Sequence, residues 1–118
     1  VQVLAACRHF ATERIAVSGH CPSDTGGRSF HLLLPLEGDF AAETADAQTA
    51  LLPGAATLVP AGCGAYVLRG QGTCLRYYVP DLVRDIIAPL RAAGHGDGAI
   101  RRLAGPSEEN DLAKVMRR

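Results

Sequence analysis

Tryptophan is absent, and three phenylalanines and three tyrosines are too few flat rings to build a stacking platform for single-stranded nucleic acid. Neither charge sign is in excess. Twelve Lys and Arg face twelve Asp and Glu, so no broad field draws this surface to nucleic acid or to anionic lipid. Long hydrophobic runs are missing too: Leu32 to Leu36 contains Pro35 and falls far short of the roughly 20 apolar residues a membrane span needs. No nucleic-acid or membrane partner is therefore expected. No basic segment followed by an apolar stretch and a small-residue cleavage site opens the chain. It begins Val1-Gln2-Val3 without methionine, which reads as an internal start within a longer protein. None of the four cysteines, Cys7, Cys21, Cys63 and Cys74, forms a C-x-x-C pair, and disulfide frameworks belong mainly to small secreted chains. Free thiols and a cytoplasmic location are expected. No Gly-rich loop runs into Lys-Ser or Lys-Thr, and neither G-x-G-x-x-G nor G-x-S-x-G occurs.

What the chain has is apolar material and turn residues. Hydrophobic residues make up 47% of 118, enough for one domain with a true core. Thirteen glycines and seven prolines punctuate short apolar segments. Phe10 to Val17 carries Ile15 and Val17 on one alternating face, and Ser18 to Arg28 is turn chemistry. Ser29 to Leu36 reads as a strand buried on both faces, followed by a turn at Glu37-Gly38-Asp39 and a return strand from Phe40 to Thr44. Further strands are expected at Gln48 to Leu52, Thr57 to Val59, Ala65 to Leu68 and Thr73 to Val79, the last two separated by a Gly70-Gln71-Gly72 hairpin turn. Short strands at close intervals predict an all-β barrel or sandwich over residues 1–80.

A helical extension is expected over residues 81–118. Asp81 can cap a helix bearing Leu82, Val83, Ile86, Ile87 and Leu90, with Pro89 bending or interrupting it and Gly94 ending it. A second short helix is expected from an Asp97 cap to Leu103. The tail from Ser107 has Glu108 and Glu109 early and Lys114, Arg117 and Arg118 late, which suits a helix dipole or a solvated end.

Phe30-His31-Leu32-Leu33-Leu34-Pro35-Leu36-Glu37-Gly38, followed by Leu51-Leu52-Pro53-Gly54 and Val59-Pro60-Ala61-Gly62, resembles the cupin superfamily, implying a jelly-roll β-barrel. Cys7-Arg8-His9-Phe10 with Ala11-Thr12-Glu13, and Leu75 to Leu82, look like the C-terminal lobe of a type I mannose-6-phosphate isomerase. The resemblance spans roughly residues 7–82. It implies aldose–ketose sugar-phosphate isomerisation by a whole enzyme, with this segment as an accessory lobe. It also implies that zinc belongs to a preceding catalytic lobe, which would be this segment's partner.

A metal-binding cupin supplies His-x-His and a Glu from its first motif and another His from its second. Here His31 is followed by Leu33 in place of the second His, and Cys63, Gly64, Ala65 and Tyr66 offer none. One His cannot hold Zn²⁺, which takes three or four N, S or O ligands, so no metal and no catalytic residue is expected in this segment. His31 reads as a structural histidine and Glu37 as a turn residue, yet with Arg69 and Arg76 they are the candidates to meet a sugar phosphate at the barrel mouth. Arg8 and Arg28 are weaker candidates. Cys7, His9, His20 and Cys21 could make a structural metal site, but buried thiols and surface imidazoles are the expectation. Two other functions remain open: a small-molecule or sugar sensor without turnover, and a homodimer packed through Leu82, Ile86 and Leu90.

Overall fold

The computed structural model describes residues 1–117. Arg118, grouped above with Arg117 at the tail's end, lies outside them. Six antiparallel strands form one sheet: β1 (Gln2–Ala6), β2 (Ala11–Asp24), β3 (His31–Glu43), β4 (Gln48–Leu51), β5 (Thr57–Val59) and β6 (Ala65–Tyr78). They lie in the order β1-β2-β6-β3-β4, with β5 paired to the start of β3. The all-β reading holds, as do the short helices that follow.

Three expected turns are corrected. Ser18 to Asp24 continues β2, Glu37-Gly38-Asp39 lies inside β3, and Gly70-Gln71-Gly72 lies inside β6. Register explains why these turn-like residues sit in strands. Gly19 pairs with Gly70, Gly38 with Gly72 and Phe40 with Gly70, so the glycines line up across the three central strands. There the backbones approach too closely for side chains. A Cβ on Gly38 would stand 2.2 Å from the Gln71 carbonyl oxygen, and one on Gly70 would stand 2.5 Å from that of Asp39. Both residues have positive φ, 103° and 129°. The sheet creases along this line instead of ending there, bringing its two halves face to face.

Alternation along the strands then selects the interior. Ile15, Val17, Leu33, Phe40, Leu51, Val59, Leu68 and Cys74 form its apolar core, joined by Tyr66. Each fully buried Leu or Ile contributes about 1.5–3 kcal/mol.

The C-terminal residues cover the open edge at β1. Asp81 caps as expected: its Oδ1 accepts from the Arg84 amide at 3.0 Å, while Asp85 Oδ2 accepts from the Asp81 amide at 2.9 Å. Leu82–Ile87 then winds as a π-helix, with the Ala88 amide bonded to the Val83 carbonyl, before α1 (Ala88–Ala92). Pro89 is the reason. A proline ring crowds the carbonyl four residues back, and the wider winding relieves it. The Asp97 cap is corrected: Gly96 is the N-cap of α2 (Asp97–Arg101), and the Asp97 carboxylate instead accepts from Arg91 at 3.0 and 3.1 Å. The tail forms α3 (Asp111–Met116), capped by Asn110, whose Oδ1 accepts from the Ala113 amide at 2.8 Å. Leu82, Ile86, Ile87, Ile100 and Leu112 pack with Ala6 and Ala11 into a second buried cluster. Leu82 and Ile86 of the open dimer reading are thus packed within the chain, with Leu90 partly buried against the same cluster.

Candidate functional site

Where β2, β3 and β6 meet the π-helical turn, a cleft of about 260 Å³ opens. Its floor follows from register. Glu13 sits opposite Arg76, and Arg76 opposite Leu33, so a carboxylate and a guanidinium share an inward face with core residues. Two charges there must pair. Arg76 Nε donates to Glu13 Oε1 at 2.6 Å, and Nη2 contacts the same oxygen. Arg76 Nη1 donates to Ser23 Oγ at 2.7 Å and to Tyr66 Oη at 3.4 Å.

Tyr66 Oη in turn lies 2.6 Å from His31 Nδ1. A guanidinium only donates, so the Tyr66 oxygen accepts from Arg76 and its proton is available to His31 Nδ1. In that tautomer the neutral imidazole carries its own proton on Nε2. Burial, reinforced by the Arg76 charge, holds His31 down at about 4. Burial raises the Tyr66 phenol, and burial with the nearby Glu13 and Asp85 charges raises that of Tyr78, whose ring lies 5.7 Å from the His31 ring.

Three atoms on this floor have no hydrogen-bond partner among the described residues: His31 Nε2, Tyr78 Oη and Glu13 Oε2. Every fully buried side-chain nitrogen or oxygen among the described residues has one, so these three atoms reach solvent, on residues that line the cleft. At the rim, Asp24 Oδ1 accepts from the Gly26 amide at 2.7 Å, and Arg84 pairs with Asp85 at 3.0 Å. The Arg28 guanidinium lies over Gly26 and has no ion pair among the described residues. Thr25 fixes this rim by donating to the Ala61 carbonyl at 2.7 Å and accepting from the Gly64 amide at 2.9 Å.

Of the four candidates read from sequence, His31 and Arg76 share this cleft. Glu37 and Arg69 do not line it. Glu37 lies exposed beside the β3 bulge, 3.4 Å from Thr73 Oγ1, and Arg69 pairs with Glu43 at 2.6 Å. Arg8 bonds through its amide to Asp111 at 3.0 Å. Glu13, Ser23, Tyr66 and Tyr78 were missed. A signal for Glu13 was available: Ala11, Glu13, Ile15 and Val17 alternate, so a carboxylate falls on the apolar face and demands a buried partner.

The floor does not fit zinc. Leu33 is fully buried in the apolar core, and the one imidazole is tied to Tyr66 with a guanidinium next to it. Among the described residues, no group of three or more His, Cys, Asp or Glu side chains is placed to hold a metal ion, Cys7, His9, His20 and Cys21 included.

Residues 2–79 match the family described as "Mannose-6-phosphate isomerase, cupin domain". An Archaeoglobus fulgidus protein assigned as a mannosephosphate isomerase is similar at 28% identity and a TM-score of 0.58, over 64% of this chain and 25% of that one. The mannose 6-phosphate isomerase of Bacillus subtilis gives 16% identity and 0.57, over 64% and 24%. KdgF from a Halomonas species gives 14% identity and 0.56, over 67% and 77%, a likeness of fold alone. The chain spans about a quarter of the length of the two isomerases. None of the curated proteins matches.

Proposed function

Because the chain belongs to the mannose-6-phosphate isomerase cupin-domain family, we propose that it serves as a non-catalytic cupin lobe of an isomerase-like protein. One observation carries the reading: where metal-binding cupins keep their histidines, Leu33 is packed in the core and His31 is hydrogen-bonded to Tyr66. Zinc, which would supply Lewis-acid chemistry to the whole enzyme, then belongs to another lobe. Exposed apolar side chains supply a surface for that partner. Leu36, Leu52 and Leu58 are 46%, 63% and 60% exposed, and Leu58, on β5, sits opposite Leu32. The chain's place is the cytoplasm, a reading supported by its four unpaired cysteines.

A coupled mannose-6-phosphate isomerase assay tests this on the chain alone and on its parent protein, both with added zinc. Turnover by the parent only is the expected result, with elemental analysis finding no stoichiometric zinc on the chain. Zinc-dependent turnover by the chain, abolished in His31→Ala, would overturn the reading.

A further inference from the structure

The cleft described above offers three unpartnered donors and two unpartnered acceptor atoms to whatever enters it. The donors are His31 Nε2–H, Tyr78 Oη–H and the Arg28 guanidinium; the acceptors are Glu13 Oε2 and the second oxygen of Asp24. Charge is balanced. Arg28, Arg76 and Arg84 face Glu13, Asp24 and Asp85 around one space, and Arg76 and Arg84 are already engaged with Glu13 and Asp85. A phosphate dianion entering here would meet three carboxylates and one uncommitted cation, a poor exchange for its hydration. A hydroxyl group both donates and accepts, so several of them on one frame can bridge the cleft's donors to its acceptors. Size narrows the choice further. A volume of about 260 Å³ is that of about nine waters at ~30 Å³ each, room for a single ring within the cleft.

From these atoms we infer that the cleft binds a small, uncharged, hydroxyl-rich ring molecule, and discriminates against phosphorylated ones. The neutral His31 suits this role, since it donates a hydrogen bond without adding charge. The Tyr66 hydroxyl, itself held by Arg76, fixes the orientation of its ring. Burial of Glu13 at 7% exposure likewise makes its free oxygen a strong acceptor for a hydroxyl proton. This inference goes beyond the lobe reading, and it holds or fails independently of whether the parent protein isomerises anything.

The test is amide NMR titration of the chain with glucose, galactose, mannose and myo-inositol, and with glucose 6-phosphate and inorganic phosphate as charged counterparts. At least one neutral probe should shift the Arg28, His31 and Val79 amides, saturating in the millimolar range. Tyr78→Phe and Arg28→Met should each weaken that binding about three- to tenfold while their spectra stay otherwise unchanged. Tighter binding of phosphate or glucose 6-phosphate than of any neutral probe would overturn the ligand class. If none of the probes moves those amides, the site itself is wrong.

Discussion

His31 shows how one buried side chain ties the protein's stability to pH. Its pKa stands at about 4 in the fold against 6.5 for the free group, so the folded protein resists its protonation. The neutral form's contribution is intact above pH 6.5 and is lost progressively as pH falls toward 4, up to about 3 kcal/mol. Urea unfolding across that window should show the loss. His31→Gln, which keeps an acceptor for Tyr66 but cannot titrate there, should flatten it; an unchanged slope in the variant would assign the acid sensitivity elsewhere. Cys74 makes a second residue-scale case. Burial raises its thiol to about 11, and it is the only one of the four cysteines that is fully buried. Thiol titration in denaturant without reductant should find four free groups. In the native state Cys74 should be the last to react, because it lacks both thiolate and access. A count of two or none would contradict the proposed cytoplasmic location.

At the scale of elements, the instructive cases are the glycine segments. Turn chemistry at Glu37-Gly38-Asp39 and Gly70-Gln71-Gly72 was legible, but composition alone cannot say whether such residues reverse the chain or crease it. That answer depends on pairing between strands far apart in sequence, which fixes Gly38 against Gly72 and Gly70 against Phe40. A crease is costlier to disturb than a surface turn. Gly70→Ala should destabilise the fold by more than about 1 kcal/mol, since the new methyl meets the Asp39 carbonyl and the Phe40 backbone and the φ is 129°. Gly54→Ala carries a similar φ penalty but meets no neighbour within 4 Å, so it serves as the control. Equal midpoints for the two in urea would mean the crease tolerates a side chain. The helices show the same division. Asp81 was readable as a cap because the signal is local, whereas Asp97 lost that role to Gly96 through its pairing with Arg91.

Across the whole molecule, the sequence pattern sufficed for the class of fold and for three residues of the cleft. His31 and Arg76, and more weakly Arg28, were identified from their types and setting. Glu13 and Ser23 come from β2 and Tyr66 from ten residues earlier in Arg76's own strand, and only the folded sheet brings all three onto the same guanidinium. Arg69 and Glu37 fell away for the same reason, one paired to Glu43 and the other turned outward beside a bulge.

The strand order β1-β2-β6-β3-β4 has a consequence for how the chain is made. β2 and β3 do not pair with each other; each waits for β6, which runs between them and joins Ala11 to Tyr78. During synthesis the two longest strands made so far therefore leave the ribosome with unsatisfied edges, and the sheet cannot assemble until Tyr78 has cleared the exit tunnel. Such long-range closure is slow and leaves apolar strands open to wrong partners in the interval. A ribosome stalled anywhere before residue 65 holds a nascent chain that lacks Tyr66, Leu68 and Cys74 of the core and the strand that joins β2 to β3.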